Sequence, residues 1–350
     1  MIDYIIVGQG LCGTFMSWNL IKAGKKVLVI DESKPFSASK VASGVINPVT
    51  GRRIVRTWEI EKLMPFAVQA YKDLGNELGT TLIRQCNILD FHSTPQMKLA
   101  FEERLPEEQE YLRIPENSDQ WWNYFHPAFG VGEIDPCWLI DLHAMLEGWR
   151  KKLIALHALL NERFELQDCE IGSDQVCYKG IRAAKIIFCD GTAGFENPYF
   201  HLLPYARNKG QAIFASIPDL PPNHIYKQGI SVVPWKKDLF WIGSTYEWNF
   251  THLNPDTAFR EKVEIQLKRW LKLPYTIVDH QASERPANME RRPFVGLHPV
   301  HGAVGLLNGM GTKGCSLSPY FAAAFTAYLL QGTPIHPLAD VQRFRKILSR

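Results

Sequence analysis

Gly8-Gln9-Gly10-Leu11-Cys12-Gly13 fits the pattern G-x-G-x-x-G, and Asp31-Glu32 stands about 20 residues further on. Each position has a physical use if a dinucleotide binds there. Gly8 allows a tight turn, Gly10 lets the backbone approach a pyrophosphate, and Gly13 lets a helix pack closely on a strand. The helix that follows offers N–H groups and a partial positive charge to the phosphates. Asp31 can accept hydrogen bonds from a ribose, with Glu32 as the neighbouring alternative. This chemistry serves NAD and FAD alike.

Such a loop works only between a strand and a helix, and the surrounding pattern supplies both. Residues 4–7 are continuously apolar, 14–23 have helical character, and 26–30 again read as a buried strand, which together make a βαβ opening. A loop over 42–48 leads into a Gly/Arg-rich turn at 51–53, and a helix is expected over 59–78. Residues 82–132 hold short β-like runs, prolines and the Trp121-Trp122 pair. A helix is expected over 139–153, then strand-like 163–167, 175–179 and 185–189, ending at Asp190-Gly191. Residues 211–250 are β-rich, notably 230–234 and 239–243, and a polar helix follows over 255–271. The chain closes with a strand over 304–307, a glycine-rich loop and a helix over 318–330. The expected fold class is α/β, a Rossmann-like domain made of 1–81, 133–205 and 285–350. It is interleaved with a β-rich (α+β) substrate domain of 82–132 and 206–284.

Bulk properties narrow the partners. The chain of 350 residues carries 39 basic and 36 acidic residues, a formal net charge of +3, and no charged block of the kind that binds nucleic acid. Its seven cysteines (Cys12, Cys86, Cys137, Cys169, Cys177, Cys189, Cys315) are dispersed without a C-x-x-C pair, so a reduced cytoplasmic protein is expected rather than a disulfide scaffold or zinc domain. Asp3 precedes the first apolar run, no basic segment leads it, and no run reaches the ~18 apolar residues of a membrane-spanning helix. His298 and His301 form an H-x-x-H without a third ligand pattern, and no metal is expected. No G-x-S-x-G elbow or cysteine-nucleophile signature points to hydrolysis.

The far end of the chain adds Arg285-Pro286, Arg292-Pro293-Phe294-Val295-Gly296, and Asn308-Gly309-Met310-Gly311-Thr312-Lys313-Gly314 leading into a helix. This ordering resembles the FAD-dependent D-amino-acid oxidase and glycine oxidase superfamily, specifically so at the two ends of the chain. Within it, residues 309–318 look most like the flavin domain of the bifunctional enzyme that matures the wobble uridine of tRNA. The methyltransferase half is missing here, which leaves tRNA processing as a secondary expectation.

The resemblance implies a Rossmann-like FAD-binding domain with noncovalent FAD. Gly8, Gly10, Gly13 and Asp31, or Glu32, would hold the ADP part. Ser43, Gly44 and Ile46 would line the flavin, and Gly191 would make a second cofactor contact. Gly309, Gly311, Lys313 and Gly314 would set backbone donors, a cation and a helix N-terminus at the flavin's N1/C2 edge, where reduction leaves negative charge. Arg285 matches the arginine that pairs with a substrate carboxylate, for which a guanidinium fork is suited; an interdomain salt bridge is its other use. Tyr246 would orient an amine or carboxylate, or else be a packed sheet tyrosine, and Lys313 has the alternative of a solvated loop lysine. Arg291 and Arg292 are expected to be structural.

The implied reaction is removal of a hydride from the carbon beside an amine of an amino acid or N-substituted glycine. The resulting imine hydrolyses, with oxygen or another acceptor taking the electrons. The alternatives are oxidation of a carboxymethylaminomethyl group on tRNA and a non-catalytic or electron-transfer flavoprotein.

Overall fold

A computed structural model of the chain describes residues 2–51 and 53–350; Met1, and Arg52 in the expected turn at 51–53, lie outside the described residues. The apolar opening forms the strand Ile2–Val7, the helix Leu11–Lys22 and the strand Val27–Ile30. These strands sit inside a parallel sheet in the order Leu159–Leu160, Val27–Ile30, Ile2–Val7, Ile181–Phe188, Val304–Asn308. The register sets Ile5 beside Ile186 and Val7 beside Phe188. Helices cover both faces of such a sheet, which is why its central strands are apolar throughout. The strand Phe294–Leu297 runs antiparallel beside Val304–Asn308, and the hairpin Cys169–Ile171/Val176–Tyr178 fills the remaining edge of Ile181–Phe188.

Four of these parallel strands end at the same rim of the sheet. Val7 leads into Gly8, Ile30 into Asp31, Phe188 into Asp190-Gly191, and Asn308 into Gly309. Ligands of open α/β sheets bind in the crevice at such carboxyl ends. On one face, Leu11–Lys22 packs against the helix Gly314–Gln331, and the helix Ile60–Leu78 joins them through Tyr71, whose hydroxyl donates to Cys315 O at 3.0 Å.

A second, eight-stranded sheet has the order Thr276–Asn288, Tyr205–Ser216, Leu239–Gly243, Ile230–Lys236, Ile225–Gln228, Ile88–Phe91, Val131–Ile134, Leu112–Arg113. Its outer face buries the helix Thr257–Trp270 through Phe259, Val263, Leu267 and Trp270. Its inner face meets the first layer, where Trp241 Nε1 donates to Val41 O at 2.9 Å. Trp121 belongs to the outer core with Phe125, Tyr226 and Trp270.

Several expected boundaries move. The helix expected over 139–153 is a strand, Trp138–Ile140, followed by a helix, Leu142–Ala155; Asp141 divides them because its carboxylate accepts Ala144 N at 2.8 Å and caps the helix. Residues 163–167 do not form a strand: a short 3-10 turn occupies Leu166–Asp168. The region 82–132 also contains a helix, Pro95–Arg104, started by Thr94 and by a proline at its first position. The divisions expected at 132/133, 205/206 and 284/285 fall inside the strands Val131–Ile134, Tyr205–Ser216 and Thr276–Asn288, all three of which belong to the second sheet. Among the described residues, no helix is long and apolar enough to cross a membrane.

Candidate active site

The glycine loop is built by close approach. A Cβ on Gly13 would overlap Gly8 O, and a Cβ on Gly10 would stand 2.9 Å from Ser39 Oγ. Gly8 has φ +95°, a conformation that L side chains rarely adopt. Leu11 N donates to Ser39 Oγ at 3.0 Å, and Gly10 provides no side chain to cap the helix. With Ser39 on the first N–H and no cap from Gly10, the next N–H groups of the turn are the ones that suit an anion.

Asp31 anchors the next corner. Its carboxylate accepts Gln9 N at 2.9 Å, Ser33 N at 2.8 Å and Arg150 Nη1 at 2.6 Å. Arg150 also donates to Asp31 O and to Asn161 Oδ1, at 3.1 and 2.6 Å. With three of its roughly four acceptor positions used, the carboxylate keeps one for a hydroxyl. Glu32 is exposed and makes none of these bonds.

The remaining two strand ends are joined by Asn308. Its amide donates to Asp190 Oδ1 at 2.9 Å and Gly191 O at 2.8 Å, while its Oδ1 accepts Gly309 N at 2.7 Å. Asp190 is half-buried, and loss of solvation pushes its carboxyl up to about 6, against the hydrogen bonds from Asn197 and Asn308. Beyond Gly309 and Gly311, both at positive φ, the helix begins at Gly314 rather than at 318. A Cβ on Gly314 would lie 3.1 Å from Leu11 Cδ1, so two helix N-termini converge on the crevice. Lys313 caps the second helix through its backbone carbonyl and turns Nζ onto Asn47 Oδ1 at 3.0 Å. Burial pulls this amine from 10.5 down to about 8, with Cys137 and Cys315 opposing. Lys313 is therefore a buried-end cation with one neutral partner, not a solvated loop lysine.

Arg285 lies on the second sheet, directly across from Asn208. Its guanidinium lies over Gly210, where a Cβ would overlap it. Nη1 donates to Asn208 Oδ1 at 2.5 Å and Thr245 O at 3.0 Å, and Nη2 donates to Ser244 Oγ at 2.7 Å. All three acceptors are neutral. Among the described residues no carboxylate makes an ion pair with Arg285, and burial draws its guanidinium below the ordinary arginine value, against Tyr246 and Glu247. Nε–H and one Nη2–H are left without partners, and two such N–H groups match a carboxylate. The Tyr246 ring sits 4.8 Å from the guanidinium and is 62% exposed rather than packed within the sheet.

The family model described as FAD dependent oxidoreductase (DAO) matches residues 3–329. The chain belongs to this family. Over 78 residues it is 36% identical to the uncharacterized oxidoreductase YurR of Bacillus subtilis (strain 168), a match that spans 22% of this chain and only 20% of that relative's length. Among solved structures, iminodiacetate oxidase from Chelativorans sp. BNC1 superposes with a TM-score of 0.77 at 17% identity, over 98% of each chain. Glycine oxidase from Bacillus cereus ATCC 14579 gives 0.79 at 14%, over 100% of this chain and 99% of that one. L-proline dehydrogenase from P. horikoshii gives 0.77 at 14%, over 99% and 98%. At these identities the structures speak for the fold.

The cofactor of this FAD-dependent oxidoreductase family fits the residues present. The glycine cradle with its open helix end suits a pyrophosphate, Asp31 suits a ribose, and the underpaired Lys313 with the Gly314 helix end suits an electron-rich ring edge. Of the other expected flavin residues, Gly44 and Ile46 are buried and Ser43 is half-buried. A Cβ on Gly44 would overlap Ile140 O, since this residue lets the strand Trp138–Ile140 approach, and Ile46 is buried beside Trp138. Ser43 lines a cavity of about 170 Å³ with His143, Pro234 and Trp235. The rings of His298 and His301 lie 4.9 Å apart with their planes tilted by 43°, and His298 Nδ1 accepts Val300 N and His301 N. Among the described residues, no group of three or more His, Cys, Asp or Glu could hold a metal. Arg292 lies 4.4 Å over the ring of Trp58.

Ser39, Asn47, Arg150, Asn208, Ser244 and Thr245 were not signalled by any motif. Arg150 is 119 residues from Asp31, and no local spacing connects them. Asn308 directly precedes Gly309 in the glycine-rich segment, and its amide role depends on strand ends that no local spacing relates.

Proposed function

We propose that this protein oxidises an amine that carries a carboxylate, an amino acid or N-substituted glycine, by removing a hydride from the carbon beside the nitrogen; the imine formed is then hydrolysed by water. The observation that carries this reading is Arg285, a half-buried cation held only by neutral acceptors, with two N–H groups left for an anion. A buried charge is tolerated when it is paired, and a substrate carboxylate would complete the pair. Iminodiacetate, glycine and proline, the compounds in the names of three similar structures, all combine an amine with a carboxylate.

FAD, when bound, supplies the two-electron acceptor. In this reading the chain's own residues bind and orient. Arg285 fixes the carboxylate, and Tyr246, stacked on its guanidinium, shields the pair from water. Gly8, Gly10, Gly13 and Asp31 hold the ADP part, while Gly309, Gly311, Lys313 and Gly314 face the flavin's anionic edge. Pose and electrostatics would carry the rate, since holding the reacting carbon in place is itself worth many orders of magnitude. The first layer then serves the cofactor and the second sheet the substrate.

The test is anaerobic visible absorption of the purified protein during addition of iminodiacetate, glycine, sarcosine, proline and D-amino acids, with modified tRNA last. Bleaching by one of the small amines supports the proposal and names the substrate. Bleaching by tRNA alone transfers the reading to wobble-uridine processing, and a flavin that no amine bleaches leaves an electron-transfer flavoprotein.

A further inference from the structure

Asn208 and Lys209 are neighbours on the strand Tyr205–Ser216, and successive strand side chains point to opposite faces. Asn208 holds Arg285 on the inner face. Lys209 goes to the outer face, is only 2% exposed, and places Nζ 3.6 Å from both Glu247 Oε2 and Asp256 Oδ2. Gln211 completes the cluster: its amide donates to Glu247 Oε1 at 2.7 Å and to Asp256, and its Oε1 accepts Asp256 N at 2.9 Å. Glu247 and Asp256 are the two ends of a loop over 248–255 that carries the exposed Trp248 and Leu253. The backbones of Lys209 and Glu247 also exchange hydrogen bonds of 2.9 and 3.0 Å.

This clasp lies directly behind the substrate anchor. Ser244 and Thr245, which accept from Arg285, and Tyr246, which stacks on it, immediately precede Glu247. Without Lys209, two carboxylates would face each other with only the Gln211 amide between them, and like charges at this range repel. The loop root would be pushed off the strand, taking the Arg285 acceptors with it.

We infer that Lys209 is a positioning residue of the substrate site: by clasping Glu247 and Asp256 behind the sheet, it fixes residues 244–246 against Arg285 and keeps the free guanidinium N–H groups aimed at the substrate carboxylate. This rests on the substrate reading of Arg285 proposed above.

The test compares FAD-loaded wild type, Lys209→Met and Lys209→Arg. Three quantities are read: acetate affinity from the flavin absorbance change, KM and kcat for the amine found in the anaerobic screen, and hydrogen exchange over 244–256. Lys209→Met is expected to raise the acetate Kd and the KM about tenfold, some 1.4 kcal/mol, with kcat and FAD content within about twofold. Fast exchange should be confined to 244–256, and Lys209→Arg should recover most of the affinity. Unchanged acetate affinity and KM in Lys209→Met overturns the inference, whatever the exchange shows. An equal fall in kcat and FAD content overturns it too, as general damage to the fold. If Lys209→Met does not fold, Glu247→Gln, which removes one arm of the clasp, should give the same KM shift at smaller size. A wild-type flavin that responds to neither acetate nor any amine instead brings down the substrate reading itself.

Discussion

Arg150 Nη1 lies 2.6 Å from Asp31 Oδ1, and its Nη2 holds the main-chain carbonyl of the same residue at 3.1 Å. One guanidinium thus orients both the side chain and the backbone at the end of the second strand. Arg150→Ala should weaken FAD binding about tenfold or more, since a charge-assisted hydrogen bond contributes about 1.5–3 kcal/mol. Titration of apoprotein with FAD, followed by flavin fluorescence, gives the number; affinity equal to wild type would rule out this role.

Arg285→Ala should raise the KM for carboxylate-bearing amines by about a hundredfold, because a buried, hydrogen-bonded charge pair is worth roughly 2–5 kcal/mol. FAD should be retained. Arg285→Lys should recover little, as an ammonium cannot make the forked contact. Steady-state kinetics beside the flavin:protein ratio would check both.

Gly210→Ala offers a subtler disturbance of the same contact. The new Cβ would fall on the Arg285 guanidinium, displacing it without removing its charge. We expect an affinity loss for acetate that approaches that of Arg285→Ala, with the flavin spectrum of the unliganded protein unchanged. Wild-type acetate binding would show that the guanidinium has room to move.

Lys313 gives the apoprotein a pH signature. Its folded value, about 8, lies below the ordinary 10.5, so between these values the unfolded chain binds more protons than the folded one. Stability then rises with pH across that window. Denaturant midpoints measured from pH 7 to 10.5 should show this rise in wild-type apoprotein and a smaller one in Lys313→Met. The difference between the two curves isolates the lysine from other groups that titrate there.

The sequence made the dinucleotide end legible because its signals are local. A strand, three glycines, a helix and an acid lie within the first 32 residues, and each has a steric or electrostatic reason to be where it is. Helix starts were harder. The one at Gly314 lies in a stretch rich in glycine, which disfavours helix by propensity, and tertiary packing against Leu11 overrides that. Apolar 138–140 could not be told from the helix after it, since short apolar runs suit strand and helix alike.

At the proposed substrate end the sequence singled out Arg285 without the residues that surround it. Asn208, Ser244 and Thr245 are 77, 41 and 40 residues from it. Only the register of the second sheet brings them together, and that register depends on strands far apart in the chain. Arg150 is hidden for the same reason, on a helix whose link to Asp31 exists only after folding.

Arg285 and the glycine loop at 309–311 are tied through a single rod of chain. The strand Thr276–Asn288 carries the arginine, Pro286 O accepts Gly311 N at 3.0 Å, and Asn288 donates to Gly309 O at 2.7 Å. The spacing between Arg285 and the glycine loop is thus a ruler fixed in the main chain. The loop over 248–255, with exposed Trp248 and Leu253, lies outside that ruler, so an exchange of residues there leaves the spacing untouched.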